Sequence, residues 1–472
     1  MQRILKALGS FLAVLSFCAP FIFLPVNEAQ VAGSQGSFVT VTIPTTSTVT
    51  SNGFSTSTTL NEETSSGLTS STTSTTKPQQ ITIAAVGNVR SSAPSSDSFR
   101  DLESGEYDFS PIFSSITPYL RTADYTVANL EAKIETFEVA DTLNLSPFTS
   151  INALSTDLKN AGVDLLAIAN EYTLNSSKEA LEGSLQALDA AEMPYIGICR
   201  SLEEDNKPFI VDIKGIKVAF LNYVDSTTDL DNANNSDSAA NSLNAAELEN
   251  TTSLRNTAEL DRTTGLDDAT GFSAAESQVN VVNVLDVEQI VADAASARLW
   301  GAHIVIALLH SSSHSEIELE PSDEQKEISM KLLEQGVDVI LGVSSQRVQP
   351  ISHVFEAMRA TDKYVAYSLG DFVSDERWGY VDSSIVLYIH IEKRDLRARV
   401  TGVSYLPVYV QKGATRSGTG TRVLPVLPGL SPSSDIPLSE LHRTRMREIW
   451  GEMRTLLYRP SEGILIFQPT TR

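Results

Sequence analysis

The chain has 472 residues, of which 41% are hydrophobic and 20% are charged. This is enough apolar material for one large domain, or for two ordinary ones, with appendages. The formal net charge is −24, which argues against nucleic-acid binding because phosphate contacts need clustered lysine and arginine. The same charge argues against adhesion of the whole surface to anionic polymers or lipids. Cys18 lies in the apolar N-terminal segment, so the folded part keeps Cys199 alone and no disulfide framework is expected.

Residues 1–33 have the pattern of an export signal. Arg3 and Lys6 precede an uncharged apolar run at 7–26, and small residues at 31–33 offer a cleavage site. The apolar run is also long enough to span a bilayer, so an uncleaved membrane anchor remains an alternative. In both cases we expect an exported protein. It would lie at the cell surface, anchored on the outer side of the cytoplasmic membrane, or be secreted.

Two segments are too polar to fold into a packed core. Residues 34–79 are mostly serine and threonine, which predicts a disordered linker. Residues 225–278 are rich in Asn, Ser, Thr, Ala and Asp and carry eleven acidic residues against two arginines. We interpret this second segment as a mobile acidic insertion. Its acidic residues lack the spacing of an EF-hand calcium loop.

Between and after these segments, short apolar runs alternate with stretches of helical spacing. Strands are predicted at 81–87, 125–130, 164–169, 195–198, 218–223, 303–310, 337–341, 363–369 and 384–391. Helices are predicted at 109–120, 151–160, 178–190, 286–300 and 323–335. This alternation predicts an α/β layered domain over about 80–410.

Residues 411–472 begin as a segment rich in Gly and Pro and then show the spacing of one amphipathic helix at about 438–457. From residue 412 onward, nine basic residues face five acidic ones. One hypothesis for this basic helix is that it docks a partner, which would make the protein an anchored scaffold.

Polar motifs follow the predicted strands in a fixed order. They are Val86-Gly87-Asn88, Ala123-Asp124, Asn129-Leu130-Glu131, Ala161-Gly162-Val163-Asp164, Ala169-Asn170-Glu171-Tyr172, Leu308-Leu309-His310, Gly342-Val343-Ser344-Ser345-Gln346, Gln349-Pro350 and Ser368-Leu369-Gly370-Asp371-Phe372. Each motif alone is weak, but the ordered set over about 81–407 resembles the CapA family of poly-γ-glutamate capsule-synthesis proteins (PGA_cap).

The resemblance implies a calcineurin-like metallophosphatase sandwich, in which helices flank two mixed β-sheets. In that fold, Asp, Asn and His side chains at the strand ends form a di-metal site that activates water and neutralises charge on a phosphoryl oxygen. The resemblance also implies an extracytoplasmic role in the biosynthesis or export of capsule, made of poly-γ-glutamate or a related polymer.

Several metal-ligand positions of the family pattern are replaced here. The first Asp of the pattern is Asn88, the Asn-His pair reads Glu171-Tyr172, and two later histidines are Ser344 and Gln346. A neutral amide binds a divalent cation more weakly than a carboxylate does, and a protonated tyrosine is a poor ligand. We therefore expect no bound metal or other cofactor, and favour a catalytically degenerate protein, a pseudoenzyme.

The residues that match the family pattern would form a vestigial catalytic pocket: Asn129, Asn170 and His310. Candidate ligand-binding residues around it are Asn88, Glu131, Glu171, His314 and Asp371. The asparagines and His310 could still hydrogen-bond a polar ligand.

Two enzymatic alternatives remain open. In a rewired site, acidic residues and the two histidines would hold Mn, Zn or Mg, and the protein would be a hydrolase or transferase acting on an anionic envelope polymer or a phosphoester. A Ser-His hydrolase built on His310 and a neighbouring serine is the other, although the glycine pattern of a nucleophile elbow is missing. The expected partners are an anionic envelope polymer or capsule-synthesis membrane proteins, and no nucleic acid.

Overall fold

The structure, a computed structural model, describes residues 78–91, 99, 106–132, 149–174, 176–200, 207–225, 281–311, 318–358, 360–374, 381–412, 414–415, 418–419 and 421–468. The predicted export segment, nearly all of the predicted linker and the acidic insertion from residue 226 onward lie outside the described residues. No helix within these ranges has the length and apolar character needed to cross a membrane.

The helices are α1 Ser110–Phe113, α2 Thr117–Leu120, α3 Thr149–Ala161, α4 Glu171–Leu174, α5 Lys178–Ala190, α6 Val287–Leu299, α7 Asp323–Glu334, α8 Val426–Leu430 and α9 Glu440–Leu457. Helices α3, α5, α6, α7 and α9 begin and end near the predicted residues, whereas the short α4 and α8 were not predicted. Side-chain caps fix several starts, among them a capping box between Ser322 and Gln325 at α7. The single helix predicted at 109–120 is wrong: Pro118 lies in the first turn of α2, and a proline cannot continue the preceding helix.

The strands, in chain order, are β1 Gln79–Ser91, β2 Tyr125–Ala132, β3 Leu165–Ala167, β4 Tyr195–Ile196, β5 Ile198–Cys199, β6 Phe209–Ile213, β7 Ile216–Val224, β8 Val281–Val282, β9 Ile304–His310, β10 Val339–Gly342, β11 Ile351–Glu356, β12 Thr361–Ala366, β13 Asp371–Val373, β14 Ser383–Arg394, β15 Arg397–Gln411, β16 Ala414–Thr415, β17 Gly418–Thr419, β18 Arg422–Pro425 and β19 Ile464–Ile466. All nine predicted strands are present. The chain also forms strands that were not predicted, among them β6, β11, β13 and the long β15.

Most of these strands form two mixed sheets. Within the described residues, the larger sheet has nine strands in the order β18-β15-β14-β1-β2-β3-β4, with β13 beside β1 and β19 beside β15. The smaller sheet has six, in the order β11-β12-β10-β9-β7-β6. Strands β1 to β4 run parallel, as do β7, β9, β10 and β12. Parallel strands end at the same edge of a sheet, so the residues that follow them are brought together.

The main core lies between the two sheets. Ile83 and Ile389 of the larger sheet belong to one buried apolar cluster with Phe220, Ile306 and Leu341 of the smaller sheet. A second cluster packs the other face of the larger sheet against α1, α3 and α5, and a third packs the smaller sheet against α6 and α7. Central strands such as β9 and β10 therefore bury side chains on both faces, as in α/β proteins generally. Two mixed sheets flanked by helices confirm the predicted fold class.

The segment after residue 411 adds to this same body. Strands β18 and β19 pair with β15 in the larger sheet. Helix α9 buries Met446, Ile449 and Met453 in the core cluster between the sheets. Arg445 is one of the basic residues proposed to dock a partner. Instead, its Nη2 lies 2.9 Å from Oδ1 of Asp382 and its Nη1 lies 2.9 Å from Oε1 of Glu452, as two ion pairs within the chain.

This packing predicts that α9 is required for stability. We expect Ile449→Ala to lower the free energy of unfolding by roughly 2–5 kcal/mol, because it leaves a cavity in a fully buried site. Leu441→Ala is the matched control on the same helix, since that side chain is 77% exposed and its loss should change stability by less than about 0.5 kcal/mol. Urea denaturation of both variants measures the difference. Equal effects would mean that α9 does not pack as described.

Candidate functional site

The register of three strands brings polar side chains together at one edge of the larger sheet. In the parallel pair β1 and β2, Asn88 lies opposite Asn129 and Arg90 lies opposite Glu131. On the other side of β1, Asn88 lies opposite Asp371 of β13. Residues two apart on a strand point to the same face. With His310, the last residue of β9, they form what we call the strand-end cluster: Asn88, Arg90, Asn129, Glu131, His310 and Asp371.

A close backbone contact places β13 beside β1. A Cβ atom added to Gly87 would lie 1.8 Å from the carbonyl oxygen of Gly370, so no other residue fits there without moving β13. Gly370 has a φ of +75°, a conformation that favours glycine. The backbone N–H of Asn88 donates to the same carbonyl at 3.1 Å. The two glycines thus bring Asp371 within reach of Asn88.

A chain of hydrogen bonds connects the two asparagines to both carboxylates. The Nδ2 of Asn129 donates to Oδ1 of Asn88 at 3.0 Å and to Oε1 of Glu131 at 2.9 Å. The Nδ2 of Asn88 donates to Oδ1 of Asp371 at 3.0 Å. An amide can accept and donate at once, whereas an ionised carboxylate only accepts. Asn88 therefore fits this network, and an aspartate there would place a like charge against Asp371.

Arg90 brings a positive charge into the cluster. Its Nε lies 2.8 Å from Oε2 of Glu131 and 3.4 Å from Oδ1 of Asp371. The Arg90 side chain is 11% exposed and the two carboxylates are fully buried. Arg90 was not predicted as a site residue, because the first strand was predicted to end at Gly87. Continuing the two-residue alternation from Asn88 would have placed Arg90 on the same face.

Two further contacts connect the cluster to the smaller sheet. The Nε2 of His310, on β9, lies 3.1 Å from Oε1 of Glu131. The Nδ2 of Asn129 is 3.4 Å from the carbonyl oxygen of Val343, which follows β10. The second ring nitrogen of His310, Nδ1, and Oδ1 of Asn129 are buried without a hydrogen-bond partner in the described part of the chain. Side chains of the cluster therefore connect the two sheets at their strand ends.

The environment of Asp371 disfavours its charged form. Burial raises the pKa of Asp371 to about 7, and the nearby Glu131 acts in the same direction, while Arg90 and the amide of Asn88 oppose the shift. Loss of hydration outweighs the single guanidinium charge because the carboxyl group is fully buried. Near neutral pH, Asp371 is therefore divided between its protonated and ionised forms.

The remaining candidate residues do not all join the cluster. Asn170 donates from Nδ2 to the carbonyl oxygen of Leu130 at 2.7 Å, and its Oδ1 accepts from the backbone N–H of Thr173 at 3.1 Å. Its side chain therefore caps α4 and joins it to β2, which is a structural role. Glu171 is half-buried at the start of α4. His314 lies outside the described residues.

The serines after His310 bear on the Ser-His hydrolase alternative. The hydroxyl of Ser311 accepts a hydrogen bond from Nε2 of Gln325 on α7 at 2.7 Å. Ser312 and Ser313 lie outside the described residues. The serine that the structure does place is thus engaged by a helix, and the Ser-His alternative gains no support from it.

The cluster can be tested against the di-metal site that the fold resemblance implies. Such a site surrounds divalent cations with several ionised oxygens and imidazoles. Here the guanidinium of Arg90 contacts both Glu131 and Asp371, so a positive charge already lies between the carboxylates that would bind a metal. No group of three His, Cys, Asp or Glu residues within the described ranges is arranged to hold a metal ion. A divalent cation would also be repelled by Arg90, so these residues do not fit two metal ions.

Comparison with known proteins decides the family. The model of the bacterial capsule synthesis protein family PGA_cap matches residues 82–376. The chain belongs to this family. The match contains all six residues of the strand-end cluster, and it confirms the family inferred from the ordered motifs.

Two curated relatives are distant in sequence. The capsule biosynthesis protein CapA of Bacillus anthracis is 20% identical over 321 residues, which cover 65% of this chain and 63% of the relative. The PGA biosynthesis protein CapA of Bacillus subtilis (strain 168) is 21% identical over 321 residues, covering 66% of this chain and 70% of the relative. The chain thus spans slightly less than two thirds of the length of the Bacillus anthracis relative.

Solved structures with some likeness include the calcineurin-like phosphoesterase YfkN from Bacillus subtilis, with a TM-score of 0.38, 13% identity, and coverage of 80% of this chain and 98% of that one. A putative 5'-nucleotidase from Staphylococcus aureus has a TM-score of 0.37 and 11% identity, and the match covers 78% of this chain and 58% of that one. Likeness at this level carries no argument about the cluster. The description of the fold rests on the two mixed sheets and their helix layers.

The raised pKa of Asp371 predicts a pH-dependent stability. The folded protein keeps a proton that the unfolded chain releases near its ordinary pKa of 3.8, so this group stabilises the fold at low pH and the stabilisation is lost as the pH rises through about 7. Asp371→Asn removes this titration. We expect the free energy of unfolding of the wild type, minus that of the variant, to fall by on the order of 2–4 kcal/mol from acidic to mildly alkaline pH.

Urea denaturation of both proteins at a series of pH values measures this difference. A difference that is constant, or that grows as the pH rises, would contradict the assignment of the titration to Asp371.

Proposed function

We propose that this protein is an exported component of capsule synthesis or export, which acts on the outer side of the cytoplasmic membrane without catalysing hydrolysis at the strand-end cluster. The polymer would be poly-γ-glutamate or a related anionic envelope polymer. The observation that carries the proposal is membership of the capsule synthesis family over 82–376, combined with a cluster whose carboxylates are bound by the protein's own Arg90.

The names of the two relatives support the capsule role. Both are described as biosynthesis proteins, one of capsule and one of PGA. The apolar segment at 7–26, preceded by Arg3 and Lys6, supports export because it has the charge and length of a signal or anchor. A serine- and threonine-rich stretch at 34–79 would then separate the folded domain from the membrane.

Burial and charge in the cluster support a non-catalytic role. The side chains of Glu131 and Asp371 are fully buried and that of His310 is 7% exposed, and both asparagines are buried, so a polymer cannot reach them without rearrangement of the strand ends. A general acid or base must lie within hydrogen-bond distance of the reacting group. Here Glu131 contacts Arg90 and His310 instead.

The charge of the chain favours a protein partner over direct polymer binding. A net charge of −24 repels an anionic polymer at long range. Membrane proteins of capsule synthesis are therefore the partners we propose, and they would be reached by a domain tethered at its N-terminus. The hydrolase alternative with a rewired site stays a prediction that the following experiment also tests.

Deletion of the gene from the source bacterium tests the capsule role. We expect the deletion strain to lose most of its cell-associated capsule polymer and the wild-type gene to restore it. His310→Gln should restore it equally, because glutamine can still donate a hydrogen bond to Glu131 but cannot act as an imidazole base or metal ligand. Polymer is measured after extraction from washed cells, and immunoblots check that both proteins are present in equal amounts.

The capsule role and the non-catalytic role can be contradicted separately. Unchanged polymer in the deletion strain would contradict the capsule role. Polymer that is restored by the wild type and not by an equally abundant His310→Gln protein would contradict the non-catalytic role and favour chemistry at the cluster.

A further inference from the structure

The strand-end cluster contains a cation in the place where the fold resemblance implies metal ions. Arg90 extends from β1 between the neighbouring strands β2 and β13, and its Nε contacts a carboxylate on each: Glu131 at 2.8 Å and Asp371 at 3.4 Å. A metal ion at converging strand ends would bind oxygens of this kind from separate strands.

We propose that the Arg90 guanidinium replaces the metal ions of the metallophosphatase-like site, as a covalently attached cation that holds the strand ends together. The inference deepens the proposed non-catalytic function and goes beyond it, since it names the group that compensates for the lost metal. Its test measures stability and metal binding, so the capsule role can fail without affecting it.

The charge of the cluster matches a monovalent cation better than two divalent ones. Asn88 stands where the family pattern has an aspartate, so the cluster holds two carboxylates, Glu131 and Asp371. The amides of Asn88 and Asn129 donate hydrogen bonds to these carboxylates. Together with Arg90 they stabilise negative charge that metal ions alone would stabilise at a metal centre. One guanidinium and these two amides together place a positive charge or an N–H donor against both carboxylates.

An arginine is well suited to this position. Its guanidinium stays charged at all physiological pH values, is more weakly hydrated than an ammonium ion, and presents several donors in a plane. The cost of removing it from water is therefore lower, and it can contact two carboxylates at once. Because the cation is part of the chain, the cluster does not depend on a supply of metal, and a chelator cannot remove it.

The chain offers a matched control pair at a different strand end. Arg298 forms an ion pair with Asp338, whose side chain is 6% exposed, and Asp338 also accepts from the backbone N–H of Val305 at 2.8 Å. Asp338 lies just before β10, whereas Arg90, Glu131 and His310 lie in the last residues of β1, β2 and β9. Removing Arg298 therefore also leaves a carboxylate without its arginine. Arg298 pairs with one carboxylate, whereas Arg90 contacts two, one of which also contacts His310.

The test compares thermal unfolding of the full-length wild type, Arg90→Ala and Arg298→Ala at pH 8, in EDTA and in millimolar Mn²⁺ or Zn²⁺. We expect the wild-type melting temperature to be the same in all conditions. Both variants should melt lower in EDTA, by on the order of 5–10 °C, because each leaves a carboxylate without its cation. Mn²⁺ or Zn²⁺ should raise the melting temperature of Arg90→Ala and leave that of Arg298→Ala unchanged.

Several outcomes would overturn the proposal. One is stoichiometric metal bound to the wild type, measured by equilibrium dialysis and elemental analysis. Another is an Arg90→Ala protein that responds to the metals no more than Arg298→Ala does. If Arg90→Ala does not fold, Arg90→Lys replaces it in the test, since lysine keeps the positive charge. We expect Arg90→Lys to melt below the wild type, at a temperature that Mn²⁺ and Zn²⁺ do not change. A metal-stabilised Arg90→Lys protein would count against the proposal.

Discussion

The carboxylate of Glu131 is one of the points at which the two sheets are joined, and it is buried among side chains from both. Its Oε1 lies 2.9 Å from the amide of Asn129 and 3.1 Å from the imidazole of His310, and its Oε2 lies 2.8 Å from Arg90. An ionised carboxylate removed from water costs several kcal/mol unless it is paired and hydrogen-bonded. The groups that contact it come from β1, β2 and β9, so the same buried carboxylate constrains the position of each strand.

This constraint also bears on the function of the site. We propose that Asn129, His310 and Arg90 serve the fold here, because each lies against the buried carboxylate of Glu131. The strand ends converge at the cluster, and the Arg90 guanidinium lies against both of its carboxylates. We consider a binding or assembly role in capsule synthesis the function that fits this arrangement best.

Much of the fold and of the strand-end cluster could be predicted from the sequence, because the ends of parallel strands meet at one edge of a sheet. Asn88, Asn129, Glu131, His310 and Asp371 do converge, as the family resemblance implied. Arg90 was missed for a local reason: Gly87 resembles a strand end, but β1 continues past it and pairs with β2 as far as Ser91. Asn170 follows a strand as the others do, but its capping of α4 depends on backbone geometry that spacing does not reveal.

The C-terminal segment shows a second limit of sequence patterns. The spacing of apolar residues in α9 predicted an amphipathic helix, but not which surface its apolar face covers. In the structure that face completes the core between the sheets, and Arg445 forms ion pairs with Asp382 and Glu452. An amphipathic pattern defines a face to be buried, while the choice between an internal and an external partner is made by tertiary contacts.

The central claim is that Arg90 and Glu131 stabilise each other as a buried pair, and a double-mutant cycle tests it most directly. Free energies of unfolding would be measured by urea denaturation for the wild type, Arg90→Met, Glu131→Gln and the double variant. We expect each single change to cost roughly 3–5 kcal/mol, and the double variant to cost less than the sum by at least about 1 kcal/mol. Effects that add within about 0.5 kcal/mol would contradict the account.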